Sequence, residues 1–163
     1  MSIKSCFIAA AIAAALVAGN AAAETQTLSV NVEAIVPSAN GLQLSPVGGW
    51  TNRTQTLDWD IATQSLLPIQ NQLGMKSGLG PITAHLANTA ALTGGAETIA
   101  LDVTVAGKAL TVGPTGAAEV ATQVEAAAGK QATVRIAPVA PTGGYKQGTY
   151  QGVVNMVFES EAP

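Results

Sequence analysis

The chain has 163 residues, of which 48% are hydrophobic and 10% are charged, and its formal net charge is −3. Disordered chains are usually poor in apolar residues and rich in charge, so this composition predicts a folded domain. The basic residues do not form a patch interleaved with aromatic side chains, which argues against nucleic acid as a partner.

The first 23 residues have the pattern of a secretory signal peptide. Lys4 is their only charge, residues 7–18 are almost wholly Ala, Ile, Leu and Val, and Ala21-Ala22-Ala23 precedes Glu24. A basic start, a short apolar stretch and small residues at the cleavage point are typical of such leaders, and the apolar stretch is too short to span a bilayer. We therefore expect an exported mature protein of residues 24–163, a length that suits one domain.

The single cysteine, Cys6, lies inside the predicted leader. An exported domain of this size often carries a disulfide. This one is expected to fold without a disulfide, a metal–thiolate site or a thiol nucleophile.

Residues 24–38 are predicted to contain a long strand with one buried face. Five apolar residues alternate with mostly polar ones: Leu28, Val30, Val32, Ala34 and Val36. Because side chains alternate across a strand, these five share a face. Pro37 is expected to end the strand, since proline cannot donate to a ladder.

The middle of the chain consists of short alternating segments separated by turns that contain Gly or Pro. They predict strands at 42–44, 50–61, 82–86, 99–105, 109–112 and 132–136. In the second of these, Leu57, Trp59 and Ile61 would share one face. Ala106-Gly107-Lys108 predicts a tight hairpin connection.

Residues 117–128 fit a short helix as well as a strand. Val120 and Val124 are four residues apart, and Gly129 stands where a helix C-cap would fall. The segment is left open between the two.

The chain closes on a predicted strand whose apolar residues share one parity. They are Tyr150, Val154, Met156 and Phe158. Gly148 and Gly152 beside them are expected to mark bulges or close backbone approach. With about seven short strands and marked turns, residues 39–163 are predicted to form an all-β, antiparallel sandwich.

No catalytic or metal-binding constellation stands out. His85 is the only histidine, and no nucleophile elbow accompanies it, so a structural or solvated role is expected for it. Asp58 and Asp60 would share a strand face beside Trp59, an arrangement that is more often a wet surface than a calcium or sugar site. We expect neither an enzyme nor a cofactor or metal.

Residues at both ends of the mature chain carry a family resemblance. One stretch is Thr27-Leu28-Ser29-Val30-Asn31-Val32-Glu33-Ala34, and the other runs from Ala137-Pro138 through a Pro- and Thr-containing loop to Tyr150-Gln151-Gly152-Val153-Val154. They resemble the opening strand and the closing motif of major subunits of colonisation-factor-type fimbriae, the alpha class (class 5) of chaperone–usher pili. The similarity covers most of the mature chain, although 48–79 aligns only loosely.

That resemblance implies an incomplete immunoglobulin-like sandwich, completed by donor-strand exchange. Residues 24–38 would be the donor-strand extension, with Leu28, Val30, Val32, Ala34 and Val36 entering the groove of a neighbouring copy. The implied function is that of a structural major subunit of an adhesive fimbria, which supports cell adhesion. The implied location is the bacterial surface, reached through the periplasm.

The implied partners are other copies of the chain, a periplasmic chaperone and an outer-membrane usher. A tip adhesin and a host-surface receptor are further candidates. A closed sandwich could also use the first strand internally, so its donation to a neighbour is left open.

Two other functions are considered. A secreted carbohydrate-binding module would rest on Trp50, Trp59, Asp58 and Asp60. A tip adhesin of the same pilus usually carries an extra lectin domain, and the mature chain has the length of one domain.

Overall fold

The computed structural model describes residues 41–161, which are mostly short antiparallel strands. The strands, in chain order, are β1 (Gln43–Pro46), β2 (Trp59–Asp60), β3 (Ser65–Leu66), β4 (Ile69–Lys76), β5 (Ile82–Leu86), β6 (Ala91–Gly94), β7 (Glu97–Val105), β8 (Lys108–Ala109), β9 (Ala118–Ala121), β10 (Lys130–Pro138) and β11 (Met156–Ser160). One short helix, α1 (Gln123–Ala128), lies between β9 and β10, and 3₁₀ turns span Val47–Asn52 and Pro114–Gly116.

The strands form two main sheets and a separate hairpin. The larger sheet has the order β1-β4-β10-β7-β6, with β8 also paired to β7, and the smaller has the order β11-β5-β9. The β2–β3 hairpin stands apart. All pairs between these strands are antiparallel, from β1–β4 to β7–β8. The predicted antiparallel sandwich is confirmed.

The core lies between the inward faces of the two sheets. Alternate residues of the central strands are buried, as period two requires. Those of the larger sheet are Leu73, Met75, Leu101, Val103, Val105, Ala132, Val134 and Ile136, and those of the smaller are Ile82, Ala84, Leu86, Val120 and Ala121. The strand predicted at 82–86 is therefore confirmed with the same bounds, and those predicted at 99–105 and 132–136 are confirmed within longer strands.

The hairpin predicted at residues 106–108 is confirmed, but the strand predicted at 109–112 is wrong, because the second strand of the hairpin, β8, is only Lys108–Ala109. Val105 pairs with Lys108, which leaves a two-residue turn of Ala106 and Gly107. Both turn residues have positive φ, 50° and 74°, as in the turns that match the twist of flanking strands.

The segment 117–128 contains both a strand and a helix, the two structures that its sequence fits equally well. β9 ends at Ala121, and Thr122 then caps α1. The Thr122 hydroxyl accepts from the Glu125 N–H, while the Glu125 carboxylate accepts from the Thr122 N–H at 2.9 Å. This reciprocal capping box satisfies donors that the helix start would otherwise leave unpaired. Gly129 is the C-cap, with φ of 87°.

Glu125 makes this cap sensitive to acid. The Thr122 N–H and then the Lys130 ammonium hold the pKa of the Glu125 carboxyl below its usual 4.5. Since the folded-state pKa is lowered, the contribution of the carboxylate to stability is present above pH 4.5 and is lost as the pH falls through the folded value. We expect an NMR titration of the Glu125 side chain to give a midpoint below 4.5, and a midpoint at or above it would contradict the cap.

The strand predicted over residues 50–61 is wrong. Trp50 lies in a 3₁₀ turn, and only Trp59–Asp60 forms a strand there. The Asp60 carboxylate accepts from the Ala62 N–H at 2.9 Å and the Thr63 hydroxyl at 2.7 Å. These local bonds stabilise a turn directly after Asp60, an outcome that strand periodicity does not reveal. Ile61 is consequently 83% exposed and lies on no buried face.

The closing strand is shorter than predicted. β11 begins at Met156, so Tyr150 and Val154 precede it. Gln151 exchanges both backbone hydrogen bonds with Thr93 of β6, at 2.8 and 2.9 Å. The chain at Gln151 is therefore tied to the edge of the larger sheet and reaches the smaller one only at β11.

Gly152 is required where the closing segment passes β6. A Cβ atom at residue 152 would overlap the Ala91 carbonyl oxygen and lie 3.1 Å from Leu92 Cδ2. We expect Gly152→Ala to lower the free energy of unfolding by about 1–3 kcal/mol, the usual cost of overpacking. Gly143→Ala is the control, because the nearest atom to its Cβ would be Lys146 Nζ at 4.0 Å. Urea unfolding of the purified variants measures both, and equal losses would contradict the steric account.

Candidate functional site

Within residues 41–161, β11 pairs on one side only, with β5, and its other backbone edge is open. In an antiparallel pair, residues that exchange both hydrogen bonds alternate with residues that exchange none. The Ala87 N–H donates to the Asn155 carbonyl at 3.0 Å, whereas the Leu86 N–H donates to the Thr111 carbonyl on the other side of β5. Met156 lies opposite Leu86. Its N–H and C=O therefore point away from β5, and those of Phe158, two residues later, do the same.

In the described part of the chain, β1 pairs only with β4, so its other edge is open as well. The Trp50 indole Nε1 donates to the Gln72 carbonyl at 2.9 Å, so the even-numbered residues of β4 direct their backbone groups toward β1. Leu73 directs its own groups toward β10, and its partner Pro46 faces away from β4. Leu44, which lies opposite Met75, also directs its N–H and C=O away from β4. Because Pro46 has no N–H, it leaves no unpaired donor at this edge.

A continuous groove runs between these two edges. Its first wall carries β1 and the chain that follows it, and its second wall carries the closing segment, residues 148–158. Three adjoining cavities of about 300, 370 and 570 Å³ make up the groove. Side chains that line it include Leu44, Trp50, Leu57, Leu73, Leu92, Ile136, Tyr150, Val154, Met156 and Phe158.

Several apolar side chains in this groove face the core without being fully covered. Val154, Met156 and Phe158 pack against the buried cluster and are only half-buried. Leu44 on the opposite wall is 40% exposed. Within residues 41–161, no strand lies between β1 and β11. The groove can therefore accept one extended strand, with apolar side chains on one face and backbone hydrogen bonds at both edges.

The sequence-predicted site residues fall into two groups. Leu28, Val30, Val32, Ala34 and Val36 lie outside the described residues. Tyr150, Val154, Met156 and Phe158 all lie along the second wall of the groove. Only the last two belong to a strand.

The groove wall formed by Leu44, Trp50 and Leu57 was missed by sequence reasoning. Trp50 is buried, and its indole is bonded to the backbone of β4. The pair Gly48-Gly49, both with positive φ, turns the chain so that Trp50 can reach that position. The two adjacent glycines before Trp50 were the available signal that the chain turns there and that Trp50 does not begin a strand.

The residues proposed for a carbohydrate-binding module do not form one site. Trp50 lies in the groove wall, whereas Trp59 lies in a different cavity, beside Tyr145. Both carboxylate oxygens of Asp60 are bonded within its own turn. The Thr63 hydroxyl and the Ala62 N–H lower the pKa of Asp60.

His85 lies on β5, beside β11. It is buried, and its Nδ1 lies 3.9 Å from Oε2 of Glu159 on the adjacent strand. Over residues 41–161, no group of three or more His, Cys, Asp or Glu side chains could hold a metal ion. In the same range, no helix is long and apolar enough to cross a membrane.

The chain is similar to known fimbrial subunits in sequence and in fold. Residues 26–159 match the family model of the CS1 type fimbrial major subunit. Among solved structures, the chain is similar to the CooA pilin subunit from enterotoxigenic Escherichia coli, with a TM-score of 0.59 at 15% sequence identity. That likeness covers 73% of this chain and 86% of the other, and it supports the fold. No curated protein sequence matches the chain.

Proposed function

The chain belongs to the CS1 type fimbrial major subunit family, and we propose that it builds its filament by donating residues 24–38 to the groove of a neighbouring copy. Membership makes the chain a structural major subunit of a chaperone–usher fimbria at the cell surface, one that polymerises with itself. The resemblance predicted from the sequence is confirmed.

The open groove is the observation that carries the proposed mechanism. Residues 150–158 present five alternate positions along one wall, and residues 28–36 carry five alternate apolar side chains. A strand seated there would bond to Met156 and Phe158 on one edge and to Leu44 on the other. Each fully buried Val or Leu contributes about 1.5–3 kcal/mol. Several together are sufficient to hold a non-covalent polymer.

The length of the connection to β1 restricts how the strand can be used. β1 and β11 run in opposite directions along the groove. The Ser160 hydroxyl at the end of β11 is bonded to the Ser77 hydroxyl, and Ser77 directly follows Lys76, the partner of Gln43 at the start of β1. An inserted strand must therefore run parallel to one of them. Parallel neighbours need a connection of a dozen or more residues, and only residues 37–42 separate Val36 from β1. A strand antiparallel to β11, and so parallel to β1, must come from another copy.

Export and assembly partners complete the proposal. We propose that cleavage after Ala23 releases the chain into the periplasm, where a chaperone covers the groove until an outer-membrane usher exchanges it for the next strand. The support is the leader pattern of residues 1–23 together with the open apolar groove, which would otherwise favour aggregation. We expect N-terminal sequencing of the exported protein to begin at Glu24. A start beyond Leu28 would remove the donor strand.

Electron microscopy tests the proposed function. Cells that express the chain with a cognate chaperone and usher should display surface filaments, and cells with the same plasmid lacking residues 24–38 of the chain should not. Periplasmic subunit levels, measured in both strains, separate failed assembly from failed export. Filaments built from the truncated chain would contradict donation of this segment.

A further inference from the structure

One end of the sandwich exposes apolar side chains outside the groove. Ile61, at the tip of the β2–β3 hairpin, is 83% exposed, and Trp59 is 47% exposed. The Trp59 and Tyr145 rings meet edge-on with their centroids 5.5 Å apart. They line a cavity of about 430 Å³ that shares Leu66 and Tyr150 with the groove. We call Trp59, Ile61 and Tyr145 the aromatic end.

A second exposed apolar pair lies where β1 begins. Val124 of α1 is 80% exposed, and Leu79 in the loop after β4 is 43% exposed. The Ser77 N–H donates to the Ala126 carbonyl at 3.0 Å, which ties this loop to the helix. The first residue of β1 pairs with the last residue of β4. We call Leu79 and Val124 the start end.

The direction of the donated strand determines which ends meet. This step rests on the proposed function. Antiparallel ladders are slightly more stable than parallel ones, and β11 offers both N–H and C=O at Met156 and Phe158, whereas Pro46 on β1 lacks an N–H. A strand antiparallel to β11 places Val36 beside Tyr150. In the donor copy, six residues separate Val36 from β1, and these six residues reach about 20 Å. The body of the donor copy must therefore lie next to the aromatic end of the acceptor.

We propose that the aromatic end of each subunit binds the start end of the copy that donates its strand. This contact is head-to-tail, joins different surfaces of the two copies and repeats along an open filament. Burial of Ile61 and Trp59 against Leu79 and Val124 removes apolar surface from water at both ends.

A second copy fits the cavity better than a saccharide does. Sugar and other small-ligand sites combine apolar walls with several convergent polar groups. Among the residues that line this cavity, Lys146 and Gln147 are the polar side chains apart from the tyrosines, and both are exposed. The Tyr150 hydroxyl already donates to the Lys146 carbonyl at 2.9 Å.

Cross-linking in assembled filaments tests the contact. Cys6 is the only cysteine and lies in the predicted leader, so introduced thiols would be unique in the mature chain. Ile61→Cys combined with Val124→Cys, or with Leu79→Cys, is treated with a short bis-maleimide and denatured. We expect a covalent ladder of multimers. The control pair, Ile61→Cys with Asp102→Cys, places the second thiol on the exposed face of β7 and should give monomers.

A pair of cysteines, one in the donated strand and one in the groove wall, distinguishes failure of the contact from failure of the proposed function. Val32→Cys with Val154→Cys joins the central positions of the strand and the wall, and it should also give a ladder. If this pair cross-links and both end pairs do not, the head-to-tail contact is wrong. If none cross-links in intact filaments, donation and contact are both wrong. Quenching of tryptophan fluorescence by galactose that Trp59→Ala abolishes, without an end-pair ladder, would instead assign the cavity to a sugar.

Discussion

We expect Val32→Asp to abolish surface filaments while the subunit still accumulates in the periplasm. Val32 is the central apolar residue of the donated strand, and the substitution places a carboxylate in a groove lined by Trp50, Ile136 and Val154. An unpaired charge in such surroundings is strongly unfavourable. The measurement is a count of filaments per cell, with the chaperone-bound subunit quantified in parallel. Val30→Asp should behave in the same way.

Glu33→Ser and Asn31→Lys are the matched controls. Both residues have the opposite parity and face away from the groove in the proposed register. Filament counts should stay close to those of the unaltered chain. Because a one-residue slip exchanges the two faces of a strand, equal sensitivity at Asn31 and Val32 would show that the register is wrong.

We expect Val154→Asp to abolish filaments by closing the groove to an incoming strand. Val154 is half-buried and contributes to two of the three cavities of the groove. Its neighbour Val153 is 70% exposed, so Val153→Asp is a control of identical chemistry one residue away. Filament counts should fall only for Val154→Asp.

The two variants fail for opposite reasons, which allows a complementation test. Val32→Asp keeps an intact groove, and Val154→Asp keeps an intact strand. A mixture of the two should therefore form heterodimers that do not grow further, as measured by size-exclusion chromatography. Long filaments from either variant alone would contradict the division of roles.

Much of the core was predictable because burial imposes period two on the central strands. Val103, Val134 and Ile136 alternate with polar residues and lie on inward faces. The Ala106-Gly107 hairpin was predictable from Gly107, because glycine adopts positive φ freely, whereas the positive φ of Ala106 is uncommon for alanine and was not predictable. The spacing of Thr122 and Glu125 is that of a capping box and indicates the start of α1. The strand β9 ends directly before Thr122, so the apolar pattern of 117–128 fitted a strand as well as a helix.

Other features depend on bonds that the hydrophobic pattern does not encode. Side-chain bonds of Asp60 to its own turn end β2 and expose Ile61. The pairing of Gln151 with Thr93 keeps Tyr150 out of β11. The groove was not predictable from local sequence, because it brings Leu44 close to Phe158, which is more than a hundred positions away.

Disulfide trapping of the central pair tests donation most directly. A single chain that carries Val32→Cys and Val154→Cys is assembled, oxidised and denatured without reductant. These positions are opposite each other whichever way the strand enters. Donation to a neighbour predicts a ladder of covalent multimers that collapses to monomer on reduction. Internally bridged monomers without a ladder would show that each chain fills its own groove, and would contradict donor-strand assembly.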